Sequence, residues 1–265
     1  MLDPKEATVL DVEILAGDEL ERAAAIFHRE GFVCIKDPLT PEQFDLAKTG
    51  AEMVMDRQEA EVGKEQMNRG VARHSFGMQL EHWAWCQLVD LPTILPILDQ
   101  IWSSEDYTCS GVGGDYSLPG AQIQSLHRDM GDFLADPWGV CTTLDLPTPF
   151  IVVNFTMVDF TVENGAIRFV PGTQRSRAEI PDLDGEPEWM RHNQLCAPAN
   201  TAIIRDVRCW HGGSPNTSNH RRPMTSVGYF APWRRASEEQ GMPVEHFRRL
   251  SPRGQQLCRR LVMSG

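Results

Sequence analysis

His127-Arg128-Asp129, with His211 far downstream, are the residues of this chain whose types and spacing could do chemistry. Two imidazoles and one carboxylate make the ligand set of a non-haem Fe(II) site, which leaves three coordination positions for a co-substrate and O2. The one-residue gap has a physical meaning. Residues i and i+2 of a strand point to the same side, so His127 and Asp129 can grip one ion together. His211 then has to arrive from another strand of the same β structure. A His-x-Asp pair alone is a weak signal, and the elements around it decide its weight.

Those elements fall into two halves. Asp18 to Glu30 reads as a helix, with Leu20, Ala24 and Phe27 on one face and Gly31 ending it. Phe32-Val33-Cys34-Ile35 follows as a buried strand. Thr40-Pro41-Glu42-Gln43 opens a second helix with an N-cap Thr, an early Pro and a capping-box Gln. Phe44, Ala47, Ala51 and Met55 continue its apolar stripe. Gln58 to His74 is polar and aperiodic, a solvated loop or a lid over a site. Leu91 to Trp102 resumes a helical pattern. Beyond Ser103 come short β-like runs: Tyr107–Tyr116, Ala121–Arg128, Phe150–Phe160, Ala166–Val170, Thr201–Val207 and Thr225–Phe230. Such spacing predicts an antiparallel sandwich or barrel. The expected organisation is a single domain over 1–265: a mostly helical flank at 1–105, a β core at 106–234 and a helical segment at 235–265.

Composition bounds the partners. Lys and Arg number 25 against 37 Asp and Glu, a net charge of −12, which disfavours a nucleic-acid backbone as ligand. The charge leans toward an uncharged or cationic small-molecule substrate, although a local arginine cluster can override it. No apolar stretch approaches the roughly 20 residues of a membrane helix. The N-terminus has no secretory pattern, and seven irregularly spaced cysteines point to reduced thiols and a cytoplasmic setting. Asn216-Thr217-Ser218 reads as a turn. His28, His74, His82, His192, His220 and His246 read as structural or exposed. Trp210 reads as packing beside the metal residues. Oligomeric state is not legible.

Five elements occur in order: Gln124 to Met130; Glu163-Asn164-Gly165-Ala166; Val170-Pro171-Gly172-Thr173; Arg205 to Gly213; and Asn216-Thr217-Ser218 leading to Arg222-Pro223-Met224. In that order, and with the helix–strand pattern around Gly31-Phe32-Val33, they resemble the phytanoyl-CoA dioxygenase (PhyH) family of Fe(II)/2-oxoglutarate oxygenases. The resemblance implies a mainly β fold with packed helices, a double-stranded β-helix (jelly-roll, cupin-like) core behind a helical N-terminal region. It implies His127, Asp129 and His211 as metal ligands, and Fe(II), 2-oxoglutarate and O2 as cofactor and co-substrates. Arg222 matches the arginine that pairs with the distal carboxylate of 2-oxoglutarate, a contact for which a planar guanidinium is suited. Adjacent Arg221 falls on the opposite face by strand alternation. Gln124 sits where several members contact the co-substrate, with Gln122 as its same-face rival. Two departures stand out. Gly213 replaces a Ser common two residues after the distal His, and Thr173-Gln174 replaces a common Ser-His.

The activity so implied is oxidation of a small molecule, hydroxylation first, with release of succinate and CO2. Asp129 fills a position that halogenases of this class leave to Gly or Ala. A secondary metabolite is the expected substrate type; an acyl-CoA would need a basic patch, for which Arg205, Arg208, Arg234 and Arg235 are candidates. Two alternatives stay open: a cupin-like metalloenzyme that does not use 2-oxoglutarate, and a catalytically silent binding module.

Overall fold

Gly31, at φ 86°, ends the first helix in the left-handed conformation that Gly adopts without a Cβ penalty, and turns the chain straight into a strand. The computed structural model describes residues 9–134, 136–234 and 241–262. Its elements run β1 (Ile14–Leu15), α1 (Leu20–Glu30), β2 (Phe32–Lys36), α2 (Pro41–Glu61), β3 (Arg73–Ser75), α3 (Trp83–Cys86), α4 (Leu95–Trp102) and β4 (Thr108–Ser117). They continue with β5 (Phe150–Thr156), β6 (Arg168–Val170), α5 (Glu188–His192), β7 (Thr201–Asp206), β8 (Trp210–Gly212), β9 (Arg222–Phe230), α6 (Val244–Arg249) and α7 (Pro252–Leu257). The helix expected from Thr40 carries both halves of its capping box, Thr40 with Gln43. It runs to Glu61, past the start of the stretch that the sequence left aperiodic.

Seven strands form one sheet in the order β1-β2-β7-β5-β9-β4-β3, antiparallel except for β1 on β2, and β6 pairs with β8 in a second, short sheet. Alternation divides each long strand between two cores. Val33 and Ile35, Ile151 and Val153, and Val227 and Tyr229 face the helices in a large apolar cluster with Phe27, Val54 and Leu98. The opposite face, with Phe32, Cys34, Ile203 and Met224, packs on Phe169 of the short sheet and on Phe160 and Leu195. The fold is the expected jelly-roll with flanking helices. The first 105 residues contribute three strands to the large sheet as well as their helices. The segment expected to be helical at the C-terminal end holds α6 and α7; 235–240 and 263–265 lie outside the described residues.

One expected strand is absent. Ala121–Arg128 is extended but forms no ladder. Its amides reach β8 and the residue after it at unequal steps, Gln124 to the Gly213 carbonyl and His127 to the His211 carbonyl, both at 2.9 Å. Three residues advance on one side against two on the other, as in a bulge, and continuous pairing fails. The other β runs hold with shifted ends: Phe150–Phe160 stops at Thr156, Ala166–Val170 begins at Arg168, and the last run begins earlier, at Arg222. All seven cysteines are free thiols, and among the described residues no helix is long and apolar enough to cross a membrane.

Candidate metal and co-substrate site

Main-chain bonds set the spacing of the two histidines. The amide of His127 donates to the His211 carbonyl at 2.9 Å and the amide of His211 returns the bond at 3.1 Å, so the residues are a cross-strand pair with ring centroids 4.4 Å apart. Asp129 is fixed by its amide, which donates to the Val207 carbonyl at 2.9 Å. The turn that supplies Val207 is itself locked, since Asp206 accepts from the amide and guanidinium of Arg208. One potential ligand atom from each of His127, Asp129 and His211 lies within 4.8 Å of the other two.

The donor set fits a divalent ion. Nδ1 of His127 lies 3.0 Å from the Ser125 carbonyl, and Nδ1 of His211 lies 2.9 Å from the Cys209 carbonyl. A carbonyl only accepts, so each Nδ1 carries the proton and each Nε2 keeps its lone pair for a metal. These Nε2 atoms stand 3.6 and 3.5 Å from the Asp129 carboxylate. Burial, with His211 next, holds the pKa of His127 below the ordinary imidazole value and favours the neutral, ligating form. Burial disfavours charge on Asp129, but Arg205 and His211 outweigh it and hold that carboxyl well below the usual carboxylate range.

Arg205 stands against the triad, a placement that the sequence reading missed. From β7 its Nη2 reaches Asp129 Oδ2 at 2.7 Å, and its Nε donates to Asn154 Oδ1 at 2.9 Å. It thereby ties Oδ2, the oxygen that also faces His211 Nε2, and leaves Oδ1 toward His127 Nε2. A charged residue in the buried run Ala202-Ile203-Ile204-Arg205 was the available signal. Of the four arginines named as candidates for a phosphate patch, the three described ones have other partners. Arg205 serves Asp129, Arg208 serves Asp206, and Arg234 lies 4.4 and 4.9 Å from the ring centroids of Phe230 and Phe133; Arg235 lies outside the described residues.

A cavity of about 340 Å³ opens on the triad. Four arginines, at 69, 73, 205 and 222, line it against two aspartates, at 115 and 129, so it is locally cationic in an acidic chain. Arg222 projects inward, 1% exposed, from the first position of β9. Its Nε donates to Ser117 Oγ at 3.2 Å, its Nη2 lies 3.4 Å from Asp115 Oδ1, and its Cζ lies 4.7 Å from the Phe160 ring centroid. Burial lowers its pKa although Asp115 opposes the shift. Arg221 points the other way, as alternation predicts, and pairs with Asp56 and Glu59 of α2 at 2.6 and 2.9 Å. Gln124 lines the cavity with both ends of its amide engaged: Oε1 accepts from the Gly213 amide at 2.9 Å and Nε2 donates to the Arg69 carbonyl at 2.8 Å. Gln122 is exposed. Trp210 is buried with Leu126 and Val170, the expected packing role.

Comparison with known proteins follows this geometry. Residues 27–224 match the sequence profile described as phytanoyl-CoA dioxygenase (PhyH). The multifunctional dioxygenase ausE of Aspergillus calidoustus is 25% identical over 262 residues, covering 87% of this chain and 80% of that protein. Among solved structures, the epimerase SnoN in complex with Fe3+, alpha-ketoglutarate and nogalamycin RO superposes with a TM-score of 0.61 at 19% identity, covering 80% of this chain and 83% of that one. AviO1 from Streptomyces viridochromogenes gives a TM-score of 0.58 at 19% identity, over 83% of this chain and 98% of that one. At such identities the structures speak for the fold, whereas the sequence match speaks for the lineage and spans most of the chain. The protein thus belongs to the phytanoyl-CoA dioxygenase family, as a non-haem iron, 2-oxoglutarate-dependent dioxygenase.

Proposed function

We propose that this enzyme hydroxylates a small molecule of the secondary-metabolite type, working as one unit over 1–265, with His127, Asp129 and His211 holding Fe(II) and Arg222 holding the distal carboxylate of 2-oxoglutarate. The observation that carries this reading is Arg222 itself. A fully buried guanidinium whose nearest carboxylate stands 3.4 Å away is an expensive arrangement that a bound anion would complete. It lies in the same cavity as the triad, and Ser117 orients its Nε.

Iron bound here supplies O2 activation coupled to oxidative decarboxylation of 2-oxoglutarate to succinate and CO2. The chain's residues do the rest. The two Nδ1–carbonyl bonds fix both imidazoles, and Arg205 keeps Asp129 ionised beside them, where the three would hold the ion. Asp129 also fills the position that a halide would need, which favours oxygen transfer as the outcome. Gln124 is assigned a supporting co-substrate role, since its amide bridges two backbone segments that wall the cavity.

The substrate reading rests on the cavity and its rim. Phe150, Val152, Ile167 and Met224 give it apolar wall, and the segment after Asp129 presents Phe133, Trp138 and Val140 to solvent. An apolar wall in the cavity, with exposed aromatic residues on the segment that follows Asp129, suits an apolar, ring-bearing substrate. SnoN, from nogalamycin biosynthesis, has a natural product in its crystal structure and so is a precedent on this fold.

Anaerobic titration of the protein with Fe(II) and then 2-oxoglutarate tests the reading through the weak visible charge-transfer band of the chelate. The expected result is a band that disappears in His127→Ala and Asp129→Ala and needs more 2-oxoglutarate in Arg222→Met. Folded, iron-loaded protein without a band would overturn the co-substrate assignment. Screening natural products by succinate release then tests the substrate class.

A further inference from the structure

The segment 121–128 carries His127 into the site without a strand ladder to hold it. In a regular antiparallel pair, two opposed residues exchange both N–H···O bonds. His127 and His211 do so, but Gln124 and Gly213 exchange only one. The Gly213 amide donates instead to Gln124 Oε1 at 2.9 Å, which leaves the Gln124 carbonyl without its main-chain donor. Nη2 of Arg168 takes that place.

Arg168 reaches this carbonyl across β8. It lies on β6, paired with Gly212, while the 121–128 segment meets β8 from the other side. Gly212 leaves the way open: a Cβ added there would lie 3.4 Å from Arg168 Nε and 3.2 Å from the Gln124 and Ser125 carbonyls. The other arm of the guanidinium, Nη1, donates to Glu186 Oε1 and, at 3.2 Å, to the Met190 carbonyl. Both side chains of this ion pair are 0% exposed, and neither lines the cavity. Glu186 stands just ahead of α5 and Met190 within it, so the pair joins α5 to the metal-bearing segment.

Three contacts converge on the residues just before His127. Arg168 holds the Gln124 carbonyl, Leu126 packs with Val170, Trp210 and Met190, and the Ser125 carbonyl lies 3.0 Å from His127 Nδ1. A fully buried ion pair is a poor device for stability alone, because desolvation offsets the attraction and apolar residues of similar size often do as well. What an apolar pair cannot supply is a donor for the Gln124 carbonyl.

We propose that Arg168 and Glu186 are positioning residues for the metal site: Arg168 replaces the missing ladder donor, and Glu186 holds its guanidinium where it can do so. Neither touches metal, co-substrate or substrate; they set where His127 stands against His211. The proposal rests on the reading of His127 as a metal ligand and adds to it the pair that places it.

The test is Co(II) titration against a competing chelator, with the Co(II) d–d spectrum recorded, beside thermal unfolding of the metal-free proteins. Arg168→Met is expected to lower Tm and to weaken Co(II) binding roughly 10- to 100-fold, the range for losing a group that orients a metal ligand. Arg168→Met/Glu186→Leu removes both charges and regains most of the lost Tm. Its Co(II) binding stays weak and its spectrum stays shifted, because the Gln124 carbonyl still lacks a donor. Arg168→Lys keeps the charge and recovers part of the affinity. Should Arg168→Met not fold, the double variant carries the same comparison. A stable double variant with wild-type Co(II) affinity and spectrum would overturn the proposal. A double variant that regains no stability counts the same way, since the pair then serves the fold. Wild-type protein that binds no Co(II) would instead sink the metal-site reading, and this inference with it.

Discussion

Replacing Arg208 by Met tests whether the turn before His211 governs both stability and metal affinity. Asp206 is fully buried and accepts from the Arg208 amide at 2.9 Å, from its Nε at 2.9 Å and from its Nη2 at 2.6 Å. Nη1 of the same arginine donates to the Thr143 and Leu146 carbonyls at 2.8 and 3.0 Å, pinning the loop that follows Asp129. Methionine keeps much of the volume but strips the Asp206 charge of its partner and orphans two carbonyls. Breaking a buried pair from one side costs about 3–5 kcal/mol. At about 2–4 °C per kcal/mol for a domain of this size, Tm should fall by roughly 6–20 °C. The double variant Asp206→Asn/Arg208→Met removes the stranded charge and should recover at least about 2 kcal/mol, because the penalty lies mostly in the uncompensated carboxylate. Val207 and Cys209 supply the carbonyls that hold Asp129 and His211, so Arg208→Met should also weaken metal binding by roughly 10- to 100-fold. Thermal unfolding of the metal-free proteins and Co(II) titration near the midpoint temperature of neither would read both effects. A Tm within about 2 °C of wild type, or a double variant no more stable than the single one, would refute the reasoning.

Three further outcomes are expected. Arg222→Met should weaken 2-oxoglutarate binding at least about 30-fold, the low end for truncating a buried charge pair. Its Tm without co-substrate should not fall, because an apolar isostere replaces an under-partnered buried charge; a large drop would show that Arg222 is structural. Arg221→Ala, one residue away, breaks exposed pairs and should change stability by less than about 1 kcal/mol, with co-substrate affinity unchanged by calorimetry. Gly31→Ala should lose stability measurably in urea titration, because position 31 has φ 86° and an added Cβ would lie 2.8 Å from Gln174 Oε1.

The triad was legible because its two ends carry short patterns, His127-x-Asp129 and His211 with Arg222 eleven residues on, that alternation and ligand chemistry interpret directly. Arg221 and Arg222 were separable for the same reason: one strand register sends them to opposite faces. The inward helix stripes and the Thr40 cap also follow from local rules. What escaped depended on partners remote in sequence. Arg73 sits on a strand of three residues, too short to show a period. Arg205 was read only as a candidate for a basic patch, and its contact with Asp129 depends on how β7 is placed in the sheet. Ala121–Arg128 has the composition of a strand, but its neighbour β8 is short and out of step, so pairing succeeds only at intervals. The acidic total charge was a poor guide to a cavity whose own balance is cationic.

The reciprocal amide bonds between His127 and His211 have a consequence for which metal the enzyme carries. The distance between the imidazoles is written in main chain and settled during folding, before any ion arrives. Loss and return of metal is then a local exchange, and stripped protein should reload without refolding. A frame of this kind also imposes little preference among first-row divalent ions. Co(II), Ni(II) and Zn(II) would meet the same two nitrogens and the same carboxylate, in the order of their intrinsic affinities. Which ion a site built on these three residues would hold is then a matter of intrinsic affinity and of what its surroundings supply.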